Sequence, residues 1–129
     1  MRVHKKRSGF TLIELLIVVV IIGILATIVL PGFKNSKGRA ITGAIKSDIR
    51  NLASAQESFF YFNDTYTTSL PALTFTPTAG VVMTITEATV SGWSVSATHP
   101  QSAAASCAVF FGTAAAVAPA TVEGVITCL

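Results

Sequence analysis

Residues Phe10 to Pro31 read FTLIELLIVVVIIGILATIVLP, and from Leu12 to Leu30 the run holds one charged side chain, Glu14. At about 1.5 Å of rise per residue, a helix from Phe10 to Leu30 covers roughly 30 Å, the thickness of a bilayer's hydrocarbon core. The run therefore predicts a membrane-spanning helix. It also explains the composition: hydrophobic residues make up 51% of the 129-residue chain and charged residues only 12%, low for a water-soluble domain. The remainder is long enough for one modest core.

Before the apolar run stand Arg2, Lys5, Lys6 and Arg7. Basic residues directly before a membrane segment hold the N-terminus in the cytoplasm and predict export of everything after Leu30. An ordinary secretory signal ends its apolar core with a small-residue A-x-A site. No such tripeptide closes this longer run.

The stretch Lys5-Lys6-Arg7-Ser8-Gly9-Phe10-Thr11-Leu12-Ile13-Glu14 resembles the processing site of type IV pilins and type II secretion pseudopilins. The resemblance implies that a prepilin peptidase cuts on the cytoplasmic side after Gly9, methylates the new terminal amine of Phe10 and leaves the apolar segment on the mature chain. It further implies a single-pass inner-membrane subunit that pilus assembly machinery builds into a homo-oligomeric helical filament outside the cell. Removing residues 1–9 takes away four of the nine Lys and Arg residues and none of the six acids, so most of the basicity belongs to the leader.

A carboxylate inside a bilayer costs on the order of 2.5–3.5 kcal/mol, so Glu14 needs a partner or a second role. Cleavage would create an amine on Phe10, four residues and roughly 6 Å away along a helix. The resemblance implies that Glu14 pairs with the terminal amine of a neighbouring subunit during assembly; the alternative is a Glu that snorkels to the headgroups. Gly23 and Pro31 bracket a segment rich in β-branched residues, where proline removes a helical hydrogen bond. In related pili the matching segment melts in the packed filament and is helical in the membrane; a merely kinked helix is the other reading.

Beyond Pro31, Ile41, Ile45, Ile49, Leu52 and Phe59 form one apolar stripe, predicting a helix to about Phe62 that packs on a sheet. A coiled-coil seam would need a longer repeat. Phe59, Phe60, Tyr61, Phe62 and Tyr66 are expected to supply core at the helix end. Val81, Met83 and Ile85 alternate with polar or smaller residues, as do Trp93, Val95 and Ala97 after Ser91-Gly92, which predicts a hairpin. Cys107 to Phe111 reads as a third strand and Thr121 to Cys128 as a possible fourth. The expected fold is α+β: a leader at 1–9, an apolar transmembrane and assembly helix at 10–33, an amphipathic helix at 34–62, and an antiparallel β-sheet head at 63–129.

Cys107 and Cys128 lie in the exported part, where oxidation predicts a disulfide between them that ties down a C-terminal loop. Two cysteines without an acidic or His cluster make a poor metal site; His4 falls in the leader and His99 stands alone. Neither a metal, a cofactor nor a catalytic residue is expected, because no phosphate loop or nucleophile–base arrangement is present. Beyond Arg50 there are four carboxylates, Glu57, Asp64, Glu87 and Glu123, and no Lys or Arg, so direct nucleic-acid binding by the head is not predicted. Asn63-Asp64-Thr65 matches a glycosylation sequon, and a turn there is the simpler role. The reading that results is a non-enzymatic filament subunit, a major pilin serving adhesion, surface motility or DNA uptake. The alternative is the major pseudopilin of a type II secretion system.

Overall fold

The computed structural model describes residues 9–129; the rest of the expected leader, residues 1–8, lies outside the described residues. Helix α1 runs Leu12–Asn63 and is followed by a short 3-10 turn at Leu70–Leu73 and strands β1 (Val82–Ala88), β2 (Gly92–His99), β3 (Ser102–Gly112) and β4 (Thr127–Cys128). The chain divides into two compact units, residues 1–36 and 37–129.

In the first unit, Leu12–Val29 has a mean hydropathy of 3.1 and none of it is buried. Its length and composition suit a bilayer span, and its apolar side chains face outward all round, as a helix does when lipid or other copies are its solvent. The backbone is helical from Gly23 through Pro31, the state that the resemblance assigns to the unassembled subunit. Thr27 in this segment turns its hydroxyl inward to donate to the carbonyl of Ile24.

In the second unit, the helical stripe meets an antiparallel sheet of order β1-β2-β3-β4. Ile45, Ile49 and Leu52 pack with Met83, Ile85, Trp93, Val95, Ala97, Cys107 and Val109, and Ile41 and Phe59 flank the cluster. The alternation read from the sequence is the one found: Val81, Met83 and Ile85 are buried while Val82 is exposed. After Ile85 the register shifts, so that Glu87 stands opposite Ser94 and Ala88 opposite Trp93. A bulge changes which face the following residues occupy. Continued alternation would have sent Glu87 into the core; the bulge puts Ala88 there instead and leaves Glu87 on the outer face, where it accepts a hydrogen bond from the backbone N–H of Ala115.

That contact shows the course of the segment between β3 and β4. Its first part lies over the outer face of the sheet beside Glu87, the face on which Ser94 and Ala108 are buried, whereas its last part, Val125 and Ile126, lies beside Lys46 and Arg50 of α1. The strand expected over Thr121–Cys128 is consequently only two residues long, Thr127–Cys128. Gly124 has φ +71°, the N–H of Val125 closes a turn on Val122, and the Glu123 carboxylate turns back to accept from the N–H of Gly112. β3, in contrast, is longer than expected, because residues from Ser102 onward also pair with β2. Gly112 itself has φ +62°, and a Cβ there would collide with the Ser91 carbonyl, so only glycine fits this corner.

Two polar residues sit inside the helical stripe. Asp48 is buried and accepts from the backbone N–H of Thr78 at 2.8 Å and from its hydroxyl at 3.0 Å. Gln56, also buried, donates to the Thr67 carbonyl at 2.6 Å and accepts from the Thr67 N–H at 3.1 Å. These contacts fasten the long connection between α1 and β1 to the helix and give the buried Asp48 and Gln56 side chains their partners.

The aromatic cluster departs from expectation. Phe59 and Tyr66 do pack against the core, but Tyr61 and Phe62 are 81% and 78% exposed. The core-facing phase of the helix runs through Leu52, Gln56 and Phe59, so Tyr61 and Phe62 point away from the sheet.

Candidate functional site

Gly9 and Phe10 precede the first turn without regular structure, and Phe10 is 83% exposed. A Cβ at Gly9 would meet no atom within 4 Å. Folding of this chain therefore places no demand for glycine at that position, and any such demand comes from a molecule that reads the site.

Thr11 and Glu14 fix how the helix begins. The backbone N–H of Thr11 donates to Glu14 Oε2 at 2.8 Å and its hydroxyl donates to the same oxygen at 2.7 Å, while Thr11 Oγ1 accepts from the Glu14 N–H at 3.3 Å. This is a capping box: it satisfies helix-end donors that have no intrahelical acceptor and sets a carboxylate at the positive end of the helix dipole. The box explains why α1 starts at Leu12 and not at Phe10. The sequence signal was present as Thr-x-x-Glu ahead of an apolar run, but Glu14 was read for intermolecular pairing or snorkelling and not for capping. Both Thr11 atoms and Glu14 lie after Gly9, so the box belongs to the chain that cleavage there would leave.

The other residues expected to matter occupy separate places. Gly23 lies within the exposed apolar helix with open space around it. Cys107 and Cys128 stand opposite each other in β3 and β4 and are joined by a disulfide; Cys107 is buried in the core cluster. The bond holds a two-residue strand that has little pairing of its own. Among the described residues no group of three His, Cys, Asp or Glu side chains is arranged to hold a metal ion.

At the helix end, the Tyr66 hydroxyl donates to Glu57 Oε1 at 3.0 Å. Burial first, then the hydrogen bond and charge of Glu57, hold the Tyr66 phenol above its ordinary pKa.

Residues 4–30 match the family model described as the prokaryotic N-terminal methylation motif. The chain is 42% identical over 79 residues to the type IV major pilin protein PilA of Myxococcus xanthus, covering 61% of this chain and 36% of that one. It is 40% identical over 78 residues to the type II secretion system core protein G of Aeromonas hydrophila, covering 58% and 54%, and 39% identical over 78 residues to that of Pseudomonas aeruginosa, covering 58% and 55%. The chain thus spans between about a third and about half of the length of these curated relatives. By its N-terminal motif, by these relatives and by its α+β architecture, the chain is similar to the type IV pilins and type II secretion pseudopilins.

Proposed function

We propose that this protein is the repeating structural subunit of a type IV pilus. The observation that carries the reading is the arrangement at the start of α1. An exposed Gly9-Phe10 junction leads into a capped helix whose carboxylate, Glu14, lies within the first turn of a fully exposed apolar segment. Such a segment is insoluble as a monomer in water. It has two stable environments, a bilayer and the interior of a polymer of identical helices, and a subunit that passes from the first to the second is a filament protein.

In this reading, prepilin peptidase cleaves after Gly9 and methylates Phe10 while the subunit sits in the inner membrane with its N-terminus cytoplasmic. The new amine lies beside the positive end of the helix dipole, where it is repelled. The Glu14 carboxylate of a neighbouring copy relieves that repulsion and sets the stagger between copies. Melting between Gly23 and Pro31 then accompanies packing, since proline has already removed one backbone bond and the β-branched residues between them favour extended conformations. The filament serves adhesion, motility or DNA uptake and carries out no catalysis itself.

The second reading is the major pseudopilin of a type II secretion system, favoured by the similarity to core protein G. The disulfide-held C-terminal segment supports the pilin. Shearing surface material from cells that make the protein, imaging it and determining the subunit's N-terminal residue by mass spectrometry separates the two. Long filaments of chains starting at N-methylated Phe10 support the pilus; processed chains confined to the envelope support the pseudopilin; uncut chains contradict both.

A further inference from the structure

The carboxylates of the chain are almost all engaged internally. Glu14 is held by Thr11, Asp48 by Thr78, Glu57 by Tyr66, Glu87 by the Ala115 N–H and Glu123 by the Gly112 N–H. Among the described residues, Asp64 is the acid whose side chain makes no hydrogen bond. It is exposed, has φ +55° and stands two residues after Phe62 of the exposed, edge-to-face pair Tyr61 and Phe62. It also sits at the C-terminus of α1, whose last turn contains no basic residue to balance the negative end of the helix dipole.

Elsewhere on the same unit is a cleft of about 410 Å³ with the opposite character. Lys46 and Arg50 border it, and Ala53, Phe111, Val125 and Ile126 supply its apolar wall. It combines two cations with an apolar surface, matching an acid set beside aromatic rings. One copy cannot bring the two together: Arg50 and Phe62 lie on one helix about 18 Å apart along its axis.

We propose that the Tyr61–Asp64 knob of one copy docks in the Lys46–Arg50 cleft of the next, with the aromatic rings against Phe111, Val125 and Ile126 and the Asp64 carboxylate between the two cations. The occupant is a second copy of this chain, selected by charge complementarity, since the Lys and Arg residues of this unit all lie between Lys37 and Arg50 and, among the described residues, Asp64 is its acidic side chain without a hydrogen bond. Knob and cleft are different surfaces, so the contact is head-to-tail and propagates from copy to copy, as a helical filament requires. The inference rests on the filament reading and adds a specific contact between heads.

The test uses full-length protein in cells that assemble it. Asp64→Arg and Arg50→Asp, each alone, are expected to lower the yield of sheared filaments by about tenfold through like-charge juxtaposition, and the double variant is expected to restore most of it. A photo-crosslinking phenylalanine analogue at position 62 is expected to attach to a neighbouring copy near Phe111 or Val125–Ile126. Full filament yield from both single variants, or crosslinks in filaments that map elsewhere, would overturn the contact while leaving the filament reading intact. If the unsubstituted chain forms no filaments, the filament reading falls and this contact with it. The crosslink also decides the matter should a charge variant fail to fold.

Discussion

Glu14 Oε2 receives both the backbone N–H and the hydroxyl of Thr11 across the first turn of α1, so the one charged side chain between Leu12 and Leu30 has a partner within its own chain. The assembly contact proposed for Glu14 therefore shares its carboxylate with a helix cap, and substitutions can separate the two.

Glu14→Gln keeps an oxygen that can accept from Thr11 and removes the charge, whereas Glu14→Ala removes both. If the charge pairs with a neighbour's amine, both variants lose sheared filaments. Thr11→Val, which deletes only the hydroxyl half of the box, costs about 0.5–2 kcal/mol of helix-end stability and lowers the yield less. Wild-type yield from Glu14→Gln would show that capping is the function of this residue.

Asp48 is buried and its oxygens are occupied by Thr78. Asp48→Ala leaves the Thr78 N–H without its acceptor and is expected to destabilise the head by about 1–3 kcal/mol. Gln56→Leu, which orphans both backbone groups of Thr67, is expected to cost a similar amount. Urea unfolding followed by the fluorescence of Trp93 measures both, and midpoints equal to that of the parent would refute the assignment.

The disulfide closes a segment 21 residues apart in sequence. The chain-entropy estimate for a loop of this size is about 3 kcal/mol. Cys107→Ser with Cys128→Ser should lower the unfolding midpoint accordingly. It should also expose the 113–126 segment to proteolysis, because β4 then retains only its two residues of pairing. Protease resistance equal to that of the oxidised protein would show that the Glu87–Ala115 and Glu123–Gly112 contacts suffice.

Tyr66 gives the head an alkaline limit. Its phenol is held above the ordinary value by burial and by Glu57, so the folded state binds the proton more tightly than the unfolded chain does. That contribution is fully present below the unfolded pKa and is lost as pH rises through the elevated folded value. Tyr66→Phe should flatten the decline in stability above the ordinary phenol pKa of about 10. An unchanged alkaline profile would mean that other groups set the limit.

The sequence by itself determined the apolar helix, the N-terminal methylation motif, the phase of the buried helical stripe and the alternation of the first two strands. Each depends on local information: an uninterrupted apolar run, a short motif, or a period of 3.6 or 2 that neighbouring residues carry along the chain. The disulfide followed from there being only two cysteines in a part of the chain read as exported.

Tertiary structure decided what depends on residues distant in sequence. Nothing near Glu87 announces the bulge that moves it off the core face, because the gain comes from Ala88 beside Trp93 and from Ala115, 28 positions away. Asp48 and Gln56 carry no local sign of burial, since the groups that meet them belong to Thr78 and Thr67, 30 and 11 positions away. The segment before Cys128 read as a strand because its residues favour extended backbone; it turns at Gly124, runs beside α1 at Val125 and Ile126, and pairs only at its end. Tyr61 and Phe62, apolar enough for a core, remain outside because the sheet covers one phase of the helix and they occupy another.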